Sequence, residues 1–586
     1  MSAVLTAQEP SAKYLVNLQP PLVRHFDLIA QAPGGVARLR ELILTLAVQG
    51  KLVPQDPSDE PASELLKKIR AEKDRLIADG KIKRDKPLAQ IADEEKPFEL
   101  PTGWAWERFG AIAGIERGGS PRPIESFLTD DPSGLNWIKI GDTEKGGKYI
   151  TSASQKIKRE GLVKTRMVYP GDFLLTNSMS FGRPYITQIE GCIHDGWLRI
   201  SPPSSLDKDF LYALLSSRFI RTVFEAAAAG AVVLNLNADK VRTVPIPLPP
   251  LAEQSRIVAR VEELMQLCDA LEAQGQLEAE QHARLVSTLF GSLLQSDTPE
   301  ALADNWQRIA THFDVLLDRP EAVDALEQTI LQLAVRGLLV PQDPTDEPAS
   351  VLLQKIRTEK DHLIAQGKIK RDKPLPPITD EEKPFELPQG WQLTRLGASI
   401  ELISGQHLGP DEYVEGLDGG IPYLTGPAEF GVESPSPTRS TKETRAVASS
   451  GDILITVKGS GVGKLNVVRH PEIAISRQLM AIRPLGVNFD FVLLVLKTMG
   501  LKFQAQAVGI AIPGIGREDV AGSLVALPPF AEQLRIVTRV NEIRGLCAGL
   551  RQSLASVQTA QLLISNVLIG SFNNFLNPTE TNGLSN

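Results

Sequence analysis

After Leu248-Pro249-Pro250 the chain places apolar side chains at Ile257, Val261, Leu264, Cys268 and Leu271, at spacings of 4, 3, 4 and 3. That alternation is the seam of a coiled-coil helix, begun by the proline breaker and Ala252-Glu253-Gln254. The seam returns at Ile536, Val540, Ile543, Cys547 and Leu550 and continues through Leu554, Val557, Ile564 and Leu568. Two shorter amphipathic segments, Val36 to Val48 before Gly50 and Val323 to Val335 before Gly337, read as helices stopped by glycine. Short β-rich runs (Leu135 to Ile140, Asp172 to Thr176, Ile453 to Val457, Gln478 to Ile482) lie between Gly, Pro and Ser clusters. Helical stretches follow near Phe210 to Ala229 and Phe489 to Gln506. The regions between the helices are therefore predicted to be mixed α/β.

These elements belong to an internal repeat. LVPQDPSDEPASELLKKIRAEKDRLIADGKIKRDKP (52–87) recurs as LVPQDPTDEPASVLLQKIRTEKDHLIAQGKIKRDKP (339–374), and the match runs at an offset of 287 from His25 against His312 to Trp104 against Trp391. A second pair, LPPLAEQSRIVARVEEL (248–264) and LPPFAEQLRIVTRVNEI (527–543), is offset by 279. The stretches 105–244 and 392–523 share little beyond scattered Gly-Asp and Pro positions. One duplicated frame thus carries two different inserts, unlike a solenoid of short stacked repeats. Each seam needs a partner. The downstream segment Val323 to Val335 is assigned to the first seam and the N-terminal segment Val36 to Val48 to the C-terminal seam, which would close the chain into a pseudo-two-fold ring. The alternative is that each seam is a core stripe of a local bundle.

Composition narrows the picture. At roughly 100 to 200 residues per domain, 586 residues make about four structural units. No run approaches the roughly 20 apolar residues of a membrane span, so no membrane partner is expected. The start lacks the order of a secretory signal, which points to the cytoplasm. Cys192, Cys268 and Cys547 are too far apart for a metal site and are expected as buried thiols. The net charge of -8 argues at first against nucleic acid. Yet residues 104–244 hold 18 Lys and Arg against 15 Asp and Glu, whereas 251–390 hold 14 against 25, so the acidity sits on the connecting frame. Residues 391–527 are near neutral, at 12 against 13.

A domain opening with LPTGW or LPQGW, a Gly-Asp before a strand (Gly171-Asp172, Gly451-Asp452), a Gly-containing loop after it (SMSFGR, KGSGVGK) and closure by IPLPPLAEQSRIV or ALPPFAEQLRIV resemble type I restriction-modification specificity subunits. The likeness covers about residues 25–575, twice in order. It implies an α+β fold of two target-recognition domains joined by long antiparallel coiled-coil-like helices, circularly closed. The expected divisions are 1–103 (N-terminal helix and linker, pairing with the C-terminal helices), 104–247 (first recognition domain), 248–390 (central helices and linker), 391–526 (second recognition domain) and 527–586 (C-terminal helices). The resemblance further implies a non-catalytic protein that binds double-stranded DNA, each domain reading half of a split, asymmetric target. Its helices would dock two methyltransferase subunits and restriction-translocase subunits. A strut of about 24 residues would span roughly 36 Å, about one turn of B-DNA. A stand-alone DNA-binding regulator and a helical scaffold remain open as alternatives.

Catalytic chemistry is not legible. Leu527-Pro528-Pro529-Phe530 has leucine where an amino-methyltransferase motif needs a polar residue. Gly459 to Lys464 resembles a phosphate cradle but has Lys458 where the first glycine belongs and Leu465 after the lysine. The histidines form no metal pattern, and no cofactor is expected. His194-Asp195 reads as a turn, and Trp104 and Trp391 as packing residues. Base-edge readout favours Arg, Lys, Asn, Gln and Ser on protruding loops. The candidates are Arg117, Ser120, Arg122, Lys145, Lys148, Ser178, Ser180 and Arg183 in the first insert. In the second they are Gln406, His407, Lys458, Ser460, Lys464, Arg477 and Gln478. They support DNA reading as a set rather than singly.

Overall fold

The computed structural model describes residues 26, 28–79, 87–144, 146–177, 182–228, 236–296, 298–371, 373–383, 385–507 and 514–575, with side chains to residue 570. The chain divides into two units, Met1–Leu277 with Gln558–Asn586, and Glu278–Val557. The long helix Leu251–Leu294 starts in the first unit and ends in the second, and Phe530–Phe575 does the reverse.

In the first unit the helix Gly35–Val48 buries Leu39, Leu42, Ile43 and Leu46, a stripe at helical period. The stripe shares one core with Ile257, Val261, Leu264 and Cys268, and Leu271 packs partly buried against it. Arg40 pairs with Asp269 at 2.6 Å across the same contact. In the second unit the helix Pro320–Val335 buries Val323, Leu326, Ile330 and Leu333 in one core with Ile536, Val540 and Cys547. Ile543, Leu550 and Leu554 are partly buried there, and Arg544 meets Glu327 at 3.0 Å.

This reverses the partners assigned from the repeat. Each seam packs with the short helix of its own copy: the N-terminal helix with Ile257 to Cys268, and Val323 to Val335 with Ile536 to Cys547. The two copies match so closely that hydrophobic pattern alone allowed either pairing. Charges that differ between the copies decide between them: Arg40 meets Glu272 at 2.7 Å, whereas at the equivalent positions Glu327 meets Arg551 at 2.8 Å, so crossed pairing would set Arg40 on Arg551 and Glu327 on Glu272. A polar latch common to both copies joins each short helix to the start of its seam. Just after the N-terminal helix, Gln55 Nε2 donates to Glu253 Oε1 at 3.2 Å, and Asp59 pairs with Arg256 at 2.5 Å. Trp104 Nε1 donates to Glu253 Oε2 at 2.9 Å. The second copy repeats every member: Gln342 and Trp391 donate to Glu532 at 3.2 and 3.0 Å, and Asp346 pairs with Arg535 at 2.6 Å. Glu253 and Glu532 are each 1% exposed, so their buried acceptors require these donors.

The latch also explains the repeated glycines. Gly50 and Gly337 hold φ of 69° and 73° where their helices stop. A Cβ at either would collide with the ring of Pro101 and Trp104, or of Pro388 and Trp391, so the left-handed conformation and the close approach both demand glycine.

The C-terminal seam does not stay buried along its length. Pro320–Val335 has 16 residues and at 1.5 Å each covers about 24 Å, so it runs out before the end of the 46-residue helix. Val557 and Ile564 are exposed, whereas Leu568 and Ile569 pack partly buried on the first unit's core, where Arg38 donates to Asn566 Oδ1 at 2.9 Å. By length and composition Phe530–Gly570 could cross a bilayer, contrary to the expectation that no stretch would, although polar Gln558, Ser565 and Asn566 interrupt it. All three cysteines are buried free thiols, and burial pushes Cys192 and Cys268 up to about 11.

Each insert is entered and left through paired strands. Ala105–Arg108 runs antiparallel to Pro245–Leu248, and Gln392–Arg395 to Leu524–Leu527. Beyond this stem the inserts share one topology despite their dissimilar sequences. The first has a sheet ordered 128–129, 155–157, 135–138, 191–193, 166–168, and the second orders its counterparts 414–415, 439–441, 421–424, 472–475, 447–449 in the same way. Another sheet orders 114–117, 197–201, 173–176, 184–187, matched by 400–404, 479–484, 453–456, 465–467. The first insert adds one strand, Tyr149–Ile150, parallel to Pro184–Thr187. Helices Lys208–Ser216 and Arg218–Ala228 correspond to Phe489–Thr498 and Gly500–Gln506. Gln254 and Gln533 accept from the capping residues Asp207 N and Asn488 N at 3.0 and 2.9 Å, tying each insert's first helix to the frame.

Candidate nucleic-acid interface

Antiparallel pairing brings several loops to one end of the 114–117 and 400–404 sheets. Thr456 opposes Leu479, and Ser404 opposes Met480, so the loops after 404 and 456 and the turn before 479 emerge together. Thr176 opposes Trp197, and Arg117 opposes Leu198, which does the same in the first insert. The backbone contacts there coincide bond for bond. Gly119 N donates to Ile193 O at 3.2 Å and Gln406 N to Ile475 O at 2.9 Å. Asn177 N donates to Gly196 O at 3.0 Å and Val457 N to Gln478 O at 2.8 Å. Leu236 N and Ile515 N donate to Asn177 O and Val457 O. A Cβ on Gly118 or Gly405 would collide with the carbonyl of His194 or Ser476, so both loops need glycine where they cross the turn.

Most of the candidate residues collect at this end. In the second insert Gln406, His407, Lys458, Ser460, Lys464, Arg477 and Gln478 all lie there, and all seven are exposed. No ion pair joins Lys458, Lys464 or Arg477 to a carboxylate among the described residues. Two acids of this near-neutral domain lie at the opposite end of the sheet: Asp452 and Glu401 bind Arg483 at 2.7 and 3.0 Å, and Asp452 starts the strand that Thr456 ends. A whole-domain charge sum counts them against the loops although they lie away from them. Gly459 to Lys464 forms a hairpin loop between strands Ile453–Thr456 and Leu465–Val467. A phosphate cradle would lead from strand to helix, so the loop is no P-loop.

In the first insert Arg117, Ser120 and Arg122 gather around Asp195. Ser120 Oγ donates to Asp195 Oδ1 at 2.7 Å, Arg122 Nη2 lies 3.5 Å from Oδ2, and Arg117 Nε donates to the Asp195 carbonyl at 3.3 Å. The Ser120 bond, acting against burial, holds the Asp195 carboxyl below its ordinary value. Arg183 is exposed at the end of its loop. Lys148 does not join the cluster: its amine is half-buried, 2.6 Å from Asp209 Oδ1 and 5.0 Å from the Tyr212 ring centre. That pairing outweighs burial and raises its pKa. Lys145, Ser178 and Ser180 lie outside the described residues.

His194 is held in a turn, where Gly196 N donates to its Nδ1 at 2.8 Å and burial lowers its pKa, so the neutral ring serves to close the turn. Asn177 is not among the sequence candidates, although it directly follows a strand and donates to Asp195 O at 2.7 Å, and Asp195 entered only as part of a turn.

Two inserts of one topology, each with a different loop cluster at the same sheet end, are carried on a duplicated helical frame. Residues 101–281 match the model of the type I restriction modification DNA specificity domain. The chain is 36% identical over 565 residues to the type I restriction enzyme EcoEI specificity subunit of Escherichia coli, covering 91% of this chain and 93% of that protein. It is 44% identical to the EcoAI specificity subunit of the same organism, over 63% of each chain. A solved chain from a type I restriction-modification system, 21% identical, superposes with a TM-score of 0.50 over 83% of this chain and all of that one, which supports the fold alone. The chain belongs to the type I restriction-modification specificity subunits, the non-catalytic recognition subunits of those systems.

Proposed function

We propose that residues 104–247 and 391–526 each read one half of a bipartite, asymmetric DNA target through the loop-bearing ends described above. We further propose that the helical regions 1–103, 248–390 and 527–586 set the spacing and dock methyltransferase and restriction subunits. The observation that carries this reading is the shared topology of two inserts whose loops differ in residue and charge, on frames that are nearly identical. Phosphate contacts position such a domain, and base-edge contacts specify the sequence. Docking is favoured over a stand-alone regulator by the exposed Leu562, Leu563 and Val567 on the C-terminal helix, apolar surface that the chain itself leaves uncovered among the described residues. Circular closure, with the chain ends meeting, draws support from the Arg38 bond to Asn566.

The test is an exchange of residues 105–244 for an unrelated insert, with co-expression of a cognate methyltransferase subunit and mapping of methylated adenines. One half of the motif should change, with the other half and the spacer unaltered. A change in both halves would refute the two-reader assignment. A second expectation concerns salt. Lys464→Ala should weaken binding about equally on every duplex and lower the slope of log affinity against log salt by about 1, as loss of one phosphate contact does.

A further inference from the structure

The shared hydrogen bonds allow the inserts to be compared position by position where their sequences cannot be aligned. Thr176 N donates to Arg183 O at 3.1 Å and Thr456 N to Lys464 O at 2.9 Å, so Arg183 and Lys464 are equivalent. Both are exposed cations. The turn that joins the parallel-paired strand to the central strand is 194–196 in one insert and 476–478 in the other. It closes through Trp197 N to His194 O at 3.2 Å and Leu479 N to Ser476 O at 2.9 Å, which makes Asp195 the counterpart of Arg477. One position thus keeps its charge between the inserts and the other reverses it.

A charge kept in both readers suits phosphate, which is the same at every sequence. A charge that reverses between two readers of different sequences suits a base edge. Arg477 fits that role, because its guanidinium is exposed while its backbone is pinned by Ser476 Oγ donating to Thr425 O and by Val457 N donating to Gln478 O. Guanine presents two acceptors, O6 and N7, that a guanidinium fork can bind together. A carboxylate would repel those acceptors and accept instead from an exocyclic amino group. Asp195 has side-chain exposure of 40% beside its bonds to Ser120 and Arg122.

We propose that this turn is the base-reading element of both domains, with Arg477 reading a guanine in the second half-site and Asp195 the amino group of a cytosine or adenine in the first. The inference rests on the two-reader assignment and deepens it.

The test uses the full chain in complex with its methyltransferase subunits, after the wild-type motif has been mapped. Arg477→Lys keeps the charge and loses the fork. It should cost on the order of tenfold to a hundredfold on the target, with binding to unrelated duplex unchanged within about twofold, and should relax one guanine in one half of the methylated motif. Replacing that guanine by 7-deazaguanine, which lacks the N7 acceptor, should weaken the wild type and leave Arg477→Ala, which keeps no donor, unaffected, with Arg477→Lys losing less than the wild type. Asp195→Ala should relax one base pair in the other half, and deleting the exocyclic amino group of that pair's cytosine or adenine (2-pyrimidinone or purine in its place) should weaken the wild type and leave Asp195→Ala unaffected. A uniform loss with the motif unchanged, no guanine coupled to Arg477, or an amino-group deletion that weakened wild type and Asp195→Ala alike would each overturn the proposal while the insert exchange still stood. If the insert exchange altered both halves, the underlying assignment would fail first.

Discussion

Leu42→Asp is expected to strip hydrogen-exchange protection from Ile257 to Cys268 and to leave Ile536 to Cys547 as protected as before. Leu42 is 3% exposed, in one core with Ile257, Val261 and Leu264. The substitution forfeits roughly 1.5 to 3 kcal/mol of apolar burial and places a carboxylate among aliphatic side chains with no described donor. The added desolvation costs several kcal/mol, or else the group takes up a proton. Against a domain stability of about 5 to 15 kcal/mol, this is enough to melt the local helix pair. Leu326→Asp should do the mirror experiment, releasing Ile536 to Cys547. Loss of protection at the opposite seam in either variant would restore the pairing that the repeat alone suggested and refute the one described here.

The second large effect lies in the polar latch. Glu532→Ala should lower stability by about 1 to 3 kcal/mol, because it leaves the buried indole N–H of Trp391 without an acceptor, while the amide of Gln342 keeps its bond to the Gly337 carbonyl. Glu253→Ala should act alike in the first copy. Chemical denaturation of each variant measures the cost. The pH dependence carries a further sign. Burial, opposed by the Gln342 and Trp391 bonds, leaves the Glu532 carboxyl above its ordinary 4.5. The folded chain then holds this proton more tightly than the unfolded chain. The group's contribution is greatest below pH 4.5 and is lost as pH rises through the folded value. Glu532→Gln does not titrate, so its deficit against the wild type should narrow between about pH 4 and pH 8. A deficit that widened would mean that the carboxylate is stabilised in place.

The frame was legible because its signals are local. Leu39, Leu42, Ile43 and Leu46 report a helix face through period alone, and Gly50 reports its end. The inserted strands were also legible where β-rich runs are long: Asp172 to Thr176 is observed as Phe173–Thr176 and Ile453 to Val457 as Ile453–Thr456. Phe210 to Ala229 was foreseen as a single helical stretch, but it breaks at Ser217, whose hydroxyl bonds back to the Leu214 carbonyl at 2.7 Å. Such a side-chain bond competes with the helix ladder.

The sequence by itself determined that two nearly identical helical frames carry two unlike inserts, and that their loops offer cations for DNA. Repetition and periodicity are properties of neighbours along the chain, so they survive without a structure. The sequence assigned each short helix to the wrong seam, because matched copies have matched hydrophobic faces. The choice rests on Arg40 facing Glu272 and Glu327 facing Arg551, reversed charges at equivalent positions whose partners lie 232 and 224 residues apart in the chain, contacts with no local signature. Only the tertiary structure made Lys464 the counterpart of Arg183 and set Arg477 against Asp195. Sheet register is held by backbone hydrogen bonds that every residue except proline can make, so two sequences can diverge almost completely while the positions they present to a ligand remain the same.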